Sequence, residues 1–225
     1  PTPVSNLETI TDASCNAVCD GTITLLTSGG TGPYTYAWSD GGTGANRNAL
    51  CAGLYSVTTT DANGCIVVDS YNVDEPIAIL LTVNGVDASC NSICDGSAVA
   101  VASGGTGPFA YAWSNGDIGT NASNLCAGTV YTVTATDANN CTQTSTITIS
   151  EPPVLTVDNV IVTNPNCGAS DGELEAVVSG GTPGYTYLWN GITPGNPITN
   201  IAAGAYTLDV TDANGCTVNT TVPLS

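Results

Sequence analysis

The stretch that decides the fold is residues 51–65, C-A-G-L-Y-S-V-T-T-T-D-A-N-G-C. Tyr55, Val57 and Thr59 alternate with hydroxyl-bearing residues, which is the two-residue period of a strand with one buried face. The D-A-N-G sequence that follows predicts a hairpin turn, because Asp61 can bond its own backbone and Gly64 can adopt a left-handed conformation. A cysteine stands at each end of this strand and turn.

The same unit occurs three times in the chain. Residues 126–141 read C-A-G-T-V-Y-T-V-T-A-T-D-A-N-N-C, and residues 202–216 read A-A-G-A-Y-T-L-D-V-T-D-A-N-G-C. Prolines recur at matching distances before the first cysteine of each copy, and Glu-Pro marks both internal boundaries. We therefore predict three repeats of about 75 residues, 1–75, 76–151 and 152–225. Because the sequence opens on Pro1 and contains no Met, we expect it to be a segment of a longer protein.

Within each repeat, turn signals separate about seven short strands, a pattern typical of an immunoglobulin-like β-sandwich. The first strand is predicted at 7–11, 77–83 and 154–162. An aromatic strand in each repeat predicts a core tryptophan, and a tyrosine after each C/A-A-G turn occupies the place of a tyrosine corner. These core residues are Trp38, Trp113, Trp189, Tyr55, Tyr131 and Tyr206. The alternating aromatics could instead form a carbohydrate platform. We expect an all-β chain, a tandem array of three immunoglobulin-like sandwiches forming a rod about 100–120 Å long.

The composition limits where the protein can act and which partners it can bind. Arg47 is the only basic residue against 19 carboxylates, so the net charge is −18. Such a surface repels nucleic acid and anionic membranes, and no apolar run reaches the roughly 18 residues that span a bilayer. We expect neither nucleic-acid binding nor membrane insertion. Ten cysteines without any histidine favour an oxidising, extracellular, cell-surface location over a zinc site at Cys15 and Cys19.

The sequence contains few of the side chains that enzymes use for catalysis. Without His or Lys there is no ordinary general base for a nucleophile, so we predict no enzyme and assign no catalytic residue. Calcium is the one cofactor that the carboxylates could hold, since hard cations take oxygen ligands. The weak candidates are Asp61, Asp74, Glu75, Asp87 and Asp137. Their alternative role is solvated surface charge.

The cysteine pattern predicts a disulfide map. The third repeat lacks counterparts of both Cys19 and Cys51, as expected if the two form one bond. We therefore predict Cys19–Cys51 and Cys94–Cys126, and pair the remaining cysteines within repeats as Cys15–Cys65, Cys90–Cys141 and Cys167–Cys216. In a plain immunoglobulin topology, however, the first loop and the last hairpin lie at opposite poles. Neighbouring repeats would then be joined instead, as Cys15–Cys141 and Cys90–Cys216.

Three motifs carry a family resemblance. They are G-G-T-G-P-Y-T-Y-A-W-S at 29–39, A-G-x-Y-x-V at 52–57 and T-D-A-N-G-C at 60–65, and related versions recur in the other two repeats. In these motifs the whole chain resembles the SprB repeat, a module of very large surface adhesins that gliding bacteria export by the type IX system. The resemblance implies a rod-like surface filament used in adhesion or movement over surfaces, with no catalytic residues to transfer. Cys19, Cys51, Cys94 and Cys126 are additional to the commoner two-cysteine pattern.

Two functions compete on these grounds. The favoured one is a structural shaft, whose repeats are alike because each only has to stack on its neighbour. Its partners would be neighbouring repeats of the same long chain and other copies in a filament, with glycans or cells bound at a tip outside these residues. The alternative is an array of binding modules that recognise a glycan or protein, and residues 39–50, which vary most between repeats, would then supply specificity.

Overall fold

The computed structural model describes residues 2–225, and the regular structure within them is all β-strand. Pro1, at which the first repeat is predicted to open, lies outside the described residues. The first repeat forms β1 (Ser5–Thr11), β2 (Gly21–Ser28), β3 (Thr35–Trp38), β4 (Asn46–Leu50), β5 (Gly53–Thr60) and β6 (Ile66–Val73). These strands make two antiparallel sheets, β1-β2-β4 and β3-β5-β6. This order corresponds to strands A-B-E and C-F-G of an immunoglobulin-like sandwich without strand D.

The other two repeats have the same order of strands. The second comprises β7 (Leu80–Val86), β8 (Gly96–Ser103), β9 (Ala110–Trp113), β10 (Asn121–Leu125), β11 (Val130–Thr136) and β12 (Thr142–Thr148), in sheets β7-β8-β10 and β9-β11-β12. The third comprises β13 (Thr156–Thr163), β14 (Gly172–Ser179), β15 (Thr186–Trp189), β16 (Thr193–Pro194), β17 (Ile198–Ile201), β18 (Gly204–Thr211) and β19 (Thr217–Leu224), in sheets β13-β14-β17 and β16-β15-β18-β19. The predicted all-β array of immunoglobulin-like sandwiches is confirmed. The third repeat has the predicted seven strands, whereas the first two have six.

The core of each sandwich follows from the alternation along its strands. In the first repeat, Ile23 and Leu25 of β2 pack with Trp38 of β3 and Val57 of β5. An equivalent cluster in the third repeat contains Leu174, Trp189 and Leu208. The three tryptophans are 5%, 5% and 0% exposed, as predicted for core residues. Each donates its indole N–H to a backbone carbonyl six residues later, so its polar atom is satisfied: Trp38 to Gly44, Trp113 to Gly119 and Trp189 to Gly195.

The predicted tyrosine corners are present. Tyr55 Oη donates to the carbonyl of Cys51 at 3.0 Å, and Tyr206 Oη donates to that of Ala202 at 2.8 Å. Tyr131 Oη accepts the Cys126 N–H at 2.8 Å. Tyr131 is buried, whereas Tyr55 and Tyr206 are half-buried at the rim of their sandwiches. The aromatics of β3 also belong to the sandwich, because Tyr36 packs against the core and its Oη contacts Thr27 Oγ1 at 2.8 Å.

The first strands of the last two repeats begin later than predicted. They lie at Leu80–Val86 and Thr156–Thr163 instead of 77–83 and 154–162. The residues just after each proline bond a glycine-rich turn instead of the sheet. Gly105 donates its N–H to Ile77 at 2.7 Å, and Gly181 donates to Pro153 at 2.8 Å. Apolar alternation alone does not show that these residues bond the glycine-rich turn and not a neighbouring strand.

The chain separates into two compact units. Unit 1 comprises Pro1–Thr82, Val101–Ala112 and Val133–Ser145, and thus the first repeat with part of the second. Unit 2 comprises Val83–Ala100, Trp113–Thr132 and Thr146–Ser225, and thus the third repeat with the rest of the second. The division into domains 1–75, 76–151 and 152–225 stays a prediction from the sequence.

Two adjacent leucines on β2 test which face of this strand points into the core. Leu25 is 5% exposed and Leu26 is 68% exposed. Replacing Leu25 by Ala should lower the free energy of unfolding by about 2–5 kcal/mol, because it removes packed methyl groups and leaves a cavity. The matched change Leu26→Ala should stay within about 0.5 kcal/mol. Urea unfolding of the two variants measures both effects, and equal losses would contradict the assigned register.

Candidate functional site

The hairpin turns of the three repeats are built around a buried aspartate. We use "hairpin turn" for residues 61–65, 137–141 and 212–216. Asp61 Oδ1 accepts the backbone N–H groups of Asn63 at 2.9 Å and Cys65 at 2.8 Å. Its other oxygen accepts the N–H of Thr31 at 2.9 Å. Asp137 and Asp212 make the same three bonds in their repeats, and all three aspartates are 5% exposed.

These hydrogen bonds change the acidity of the carboxyl groups. The backbone N–H of Thr31, followed by that of Cys65, holds the pKa of Asp61 below its usual range. The backbone N–H of Thr106 makes the largest contribution to lowering the pKa of Asp137. At Asp212 burial alone would raise the pKa, but the N–H donors, led by Thr182, outweigh it and the pKa is lowered. The turns are therefore held by charged carboxylates.

The glycine-rich turn supplies the third donor to each aspartate. In the first repeat, Gly30 has φ +59°, and a Cβ atom on it would lie 2.6 Å from Asp61 Oδ2. Glycine adopts this backbone without strain, and any other residue would place its Cβ atom where the carboxylate lies. The S-G-G-T-G segment thus has a structural role as a turn between two strands that closes the end of the sandwich.

The cysteine loops join the first and second strands of each repeat at residues 12–20, 87–95 and 164–171. Ser14 donates its N–H to Asp20 Oδ1 at 2.8 Å and its hydroxyl to Asp20 Oδ2 at 2.5 Å. Ser89 and Asp95 repeat both bonds. In the third repeat, Asn166 donates its N–H to Asp171 at 2.7 Å. The Asp of each Asp-Gly pair therefore closes the loop across five or six residues instead of making a local turn.

Each cysteine loop lies at the far end of the last strand from the hairpin turn. Ala13 donates its N–H to Asp74, which directly follows β6, at 2.9 Å. Cys65 directly precedes β6, and eight strand residues span about 26 Å. A disulfide needs Cα atoms within about 7 Å. Cys15 therefore cannot reach Cys65.

This geometry corrects part of the predicted disulfide map. The structure pairs Cys15 with Cys141 and Cys90 with Cys216, at Cα separations of 5.8 and 5.7 Å. The predicted bonds Cys15–Cys65, Cys90–Cys141 and Cys167–Cys216 are wrong, because in each the partners lie at opposite ends of one sandwich. The alternative between neighbouring repeats is the one observed. Cys19–Cys51 and Cys94–Cys126 are present as predicted.

The first junction between repeats lies entirely in unit 1 and contains more than the disulfide. Asn139, two residues before Cys141, donates its side-chain amide to the carbonyl of Ser14 at 2.9 Å. The hairpin turn of the second repeat thus contacts the cysteine loop of the first through one covalent bond and one hydrogen bond. Asp137 fixes the backbone of both participating residues.

Glu75, just before the boundary proline, holds the same loop from the other side. Asn16 donates its amide to Glu75 Oε1 at 2.9 Å and to the carbonyl of Pro76 at 3.2 Å. Ala17, whose φ is +58°, donates its N–H to Glu75 Oε2 at 2.7 Å. The Glu-Pro that marks the boundary in the sequence is therefore bound to the loop through which the next repeat is attached.

The second junction lies in unit 2 and repeats the first contact by contact. Asn214 donates its amide to the carbonyl of Ser89 at 2.9 Å. Glu151 accepts the Asn91 amide at 2.9 Å and the Ser92 N–H at 2.7 Å. The sequence shows Ser150 where the first junction has Asp74, yet the contacts are unchanged, because residue 150 takes part through its backbone. Two independent copies of one arrangement make the junction the candidate functional site.

The residues of the junction that sequence reasoning missed are Glu75, Glu151, Asn139 and Asn214. From the sequence, Glu75 is a candidate only for surface charge or calcium, and Glu151, Asn139 and Asn214 have no predicted role. A usable signal existed, since Glu-Pro and Asp-Ala-Asn recur at fixed positions relative to the cysteines.

The carboxylates proposed for calcium do not come together. Asp61 and Asp137 bind backbone N–H groups in separate turns, and Glu75 binds the cysteine loop. Asp74 accepts the side-chain amide of Asn72, and Asp87 accepts the Ser150 N–H. Within residues 2–225, no group of three or more His, Cys, Asp or Glu side chains could hold a metal ion. These five residues take part in turns and junctions.

The structure does not contain a membrane-crossing helix among the residues it describes, since none there is long and apolar enough. The fold and the junctions define a protein of tandem immunoglobulin-like repeats joined by disulfides. Such modules are typically structural and not enzymatic.

The comparison with protein families names the repeat. Residues 7–43, 82–118 and 159–194 match the model of the SprB repeat. Each match runs from the first strand of a repeat through its aromatic strand. The chain therefore carries three SprB repeats, and the predicted family is confirmed. The family and the disulfide-rich immunoglobulin-like fold are those of extracellular, adhesin-type structural modules. No curated protein matches the chain.

Solved structures of tandem immunoglobulin domains are also similar to the chain. The N-terminal eight Ig domains of the Down Syndrome Cell Adhesion Molecule (DSCAM) match with a TM-score of 0.41 and 14% identity, over 97% of this chain and 36% of that one. This chain thus spans about a third of that relative. Dpr2 Ig1-Ig2 in complex with DIP-Theta Ig1-Ig3 matches with a TM-score of 0.30 and 11% identity, over 99% of each chain. The insect immune protein hemolin matches with a TM-score of 0.24 and 12% identity, over 97% of this chain and 76% of that one.

Acid should destabilise the hairpin turns. Because the pKa values of Asp61, Asp137 and Asp212 are lowered by folding, the unfolded chain takes up protons first as the pH falls. Their contribution is complete above the unfolded value of about 4 and is lost as the pH falls through the lowered folded values. The melting temperature should thus drop below about pH 4. Asp137→Asn should weaken this dependence, whereas Asp209→Asn, on an exposed position of β18, should preserve it. The same pH profile for both variants would contradict the assignment.

Removing the junction glutamate should loosen the cysteine loop. Glu75→Ala removes the acceptor of the Ala17 N–H, and a hydrogen bond to a charged group is worth about 1.5–3 kcal/mol. We expect hydrogen exchange at Ala17 to become about tenfold faster. The control Glu8→Ala, on the exposed face of β1, should leave that amide unchanged. Unaltered exchange in Glu75→Ala would show that the glutamate does not hold the loop.

Proposed function

We propose that this chain is a load-bearing shaft segment of a long extracellular bacterial surface filament or adhesin, used in attachment or surface motility. The observation that carries the proposal is the junction, which occurs twice with the same disulfide, asparagine and glutamate contacts. A binding module needs no covalent bond to its neighbour. A shaft under tension does, because the bond prevents an unfolded repeat from lengthening the filament.

The disulfides shorten the covalent route through the chain. From residue 1 the route reaches Cys15, crosses to Cys141, returns to Cys126 and crosses to Cys94. It then returns to Cys90, crosses to Cys216 and continues to residue 225. It contains only residues 1–15, 126–141, 90–94 and 216–225, about 46 in all, whose fully extended length is about 160 Å. The whole chain of 225 residues would extend to about 790 Å.

The proposed partners follow from this role. They are the neighbouring repeats of the same long chain and other copies within a filament. Glycans or cells would be bound at a tip outside these residues. The charge of −18 would keep such extended molecules apart in solution, since like charges repel.

Single-molecule pulling between residues 1 and 225 tests the proposal. The oxidised chain should never extend beyond about 160 Å, whereas the reduced chain should unfold to several hundred ångströms. The double variant C90S/C216S should extend by roughly a further 190 Å, because its shortest route keeps about 100 residues. The matched double variant C19S/C51S should add nothing, because that bond lies off the route. Long extension of the oxidised chain would refute a load-bearing role for the junctions.

A further inference from the structure

Two exposed cysteines remain unpaired among the described residues, and they lie on complementary elements. Cys65 is in the hairpin turn of the first repeat, where Cys141 and Cys216 stand in the other two. Cys167 is in the cysteine loop of the third repeat, where Cys15 and Cys90 stand in the others. In both observed junctions, a hairpin-turn cysteine is bonded to a cysteine-loop cysteine.

The hairpin turn around Cys65 already has the conformation seen in the junctions. Asp61 binds the N–H groups of Asn63 and Cys65, as Asp137 does around Cys141. The Asn63 amide donates to Thr31 Oγ1 at 2.9 Å. Asn139 makes the corresponding bond to Thr106 at 3.3 Å and a second bond to the carbonyl of Ser14. Asn63 therefore has a donor in place for the loop of another repeat.

The loop around Cys167 shares two hydrogen bonds with the other cysteine loops, although it lacks their second disulfide. Asn166 bonds Asp171 through its N–H, in the place of Ser14 and Asp20. Ser225 donates its N–H to Asn164 Oδ1 at 3.1 Å, as Asp74 donates to Asp12 at 2.9 Å. Cys167 and the carbonyl of Asn166 thus occupy the positions that the first junction gives to Cys15 and the Ser14 carbonyl.

We propose that Cys65 and Cys167 are the two halves of a further junction of the observed kind, and that another repeat of this type supplies the complementary half to each; a second copy of this chain can act as that repeat. Copies then join head to tail, with Cys167 of one bonded to Cys65 of the next. The proposal rests on the shaft function and names its partner.

The bond requires an oxidant, for which we name a small disulfide such as oxidised glutathione. The thiolate of Cys65 attacks the glutathione disulfide, forms a mixed disulfide and releases one glutathione thiolate. The thiolate of Cys167 from the second copy then attacks the Cys65 sulfur and releases the other. Two protein thiols are oxidised to one disulfide, one glutathione disulfide is reduced to two glutathione thiols, and the two protein protons end on the released thiolates.

Two single variants of the full 225-residue chain test the pairing. C65S keeps only Cys167 free, and C167S keeps only Cys65 free, with the four native disulfides intact in both. The variants are mixed in equal amounts with oxidised glutathione at about 0.15 M salt, where the Debye length of about 8 Å screens the repulsion between acidic copies. Mass spectrometry of the unreduced dimers then counts each kind.

Specific joining should give mixed dimers at more than about tenfold the amount of either like dimer. Random oxidation of exposed thiols would give C65S dimers, mixed dimers and C167S dimers in a ratio of about 1:2:1. That ratio would overturn the proposal. Dimers should be few when either variant is oxidised alone, and the unmodified chain should form a ladder of multimers. Monomers alone in every mixture would also overturn it.

The asparagine provides a second readout that random oxidation would not move. Adding Asn63→Ala to C167S should lower the yield of mixed dimer severalfold, while Asn48→Ala, at an exposed position of β4, should leave it unchanged. The reaction of Cys65 with a small thiol reagent should be equal in both. The pulling experiment depends on the other eight cysteines, so a failure to join copies and a failure of the shaft function give different results.

Discussion

The three-bonded aspartate of the hairpin turn is the interaction on which the rest of the structure depends. Asp61, Asp137 and Asp212 each draw together the turn that follows them and the glycine-rich turn beside it. A charged carboxylate that is buried must be paired or fully hydrogen-bonded, and three backbone donors meet that need. The turn then has one conformation, and it presents an asparagine amide and a cysteine sulfur in fixed directions. If the turn were flexible, forming the junction would also have to order the asparagine and cysteine side chains, at a cost in conformational entropy.

The second constraint is the length of the last strand. It separates the cysteine loop from the hairpin turn of the same repeat by about 26 Å. The cysteines of these two elements therefore cannot form a disulfide with each other. Each repeat therefore exposes one sulfur at each pole. The partner within reach belongs to another repeat, and the fold turns two ordinary cysteines into connectors between modules. The same logic assigns Cys65 and Cys167 to a partner of the same kind.

The sequence predicts the sandwich well because its alternation and its turns are local signals. Val57, Trp38 and the tyrosine corner follow from spacing alone. The pairing of Cys19 with Cys51 follows from their joint absence in the third repeat. The pairing of Cys15 does not, since every repeat keeps both remaining cysteines and the pattern fits bonds within or between repeats equally well. Glu75 was missed for a related reason: its partner Asn16 lies 59 residues away, and only the folded strands bring them together.

The overlap of the two long disulfide loops has a consequence for cooperativity. The loops closed by Cys15–Cys141 and Cys90–Cys216 share residues 90–141, so most of the middle repeat lies within both. In ordinary repeat arrays each module contacts only its neighbours, and unfolding can start anywhere and spread. Here, a middle repeat that loses its packing remains attached at both poles to folded neighbours, and its entropy gain on unfolding is reduced. Cysteines placed at the poles thus stabilise a repeat chiefly by limiting its unfolded state, and in a load-bearing shaft that limit is also what preserves length.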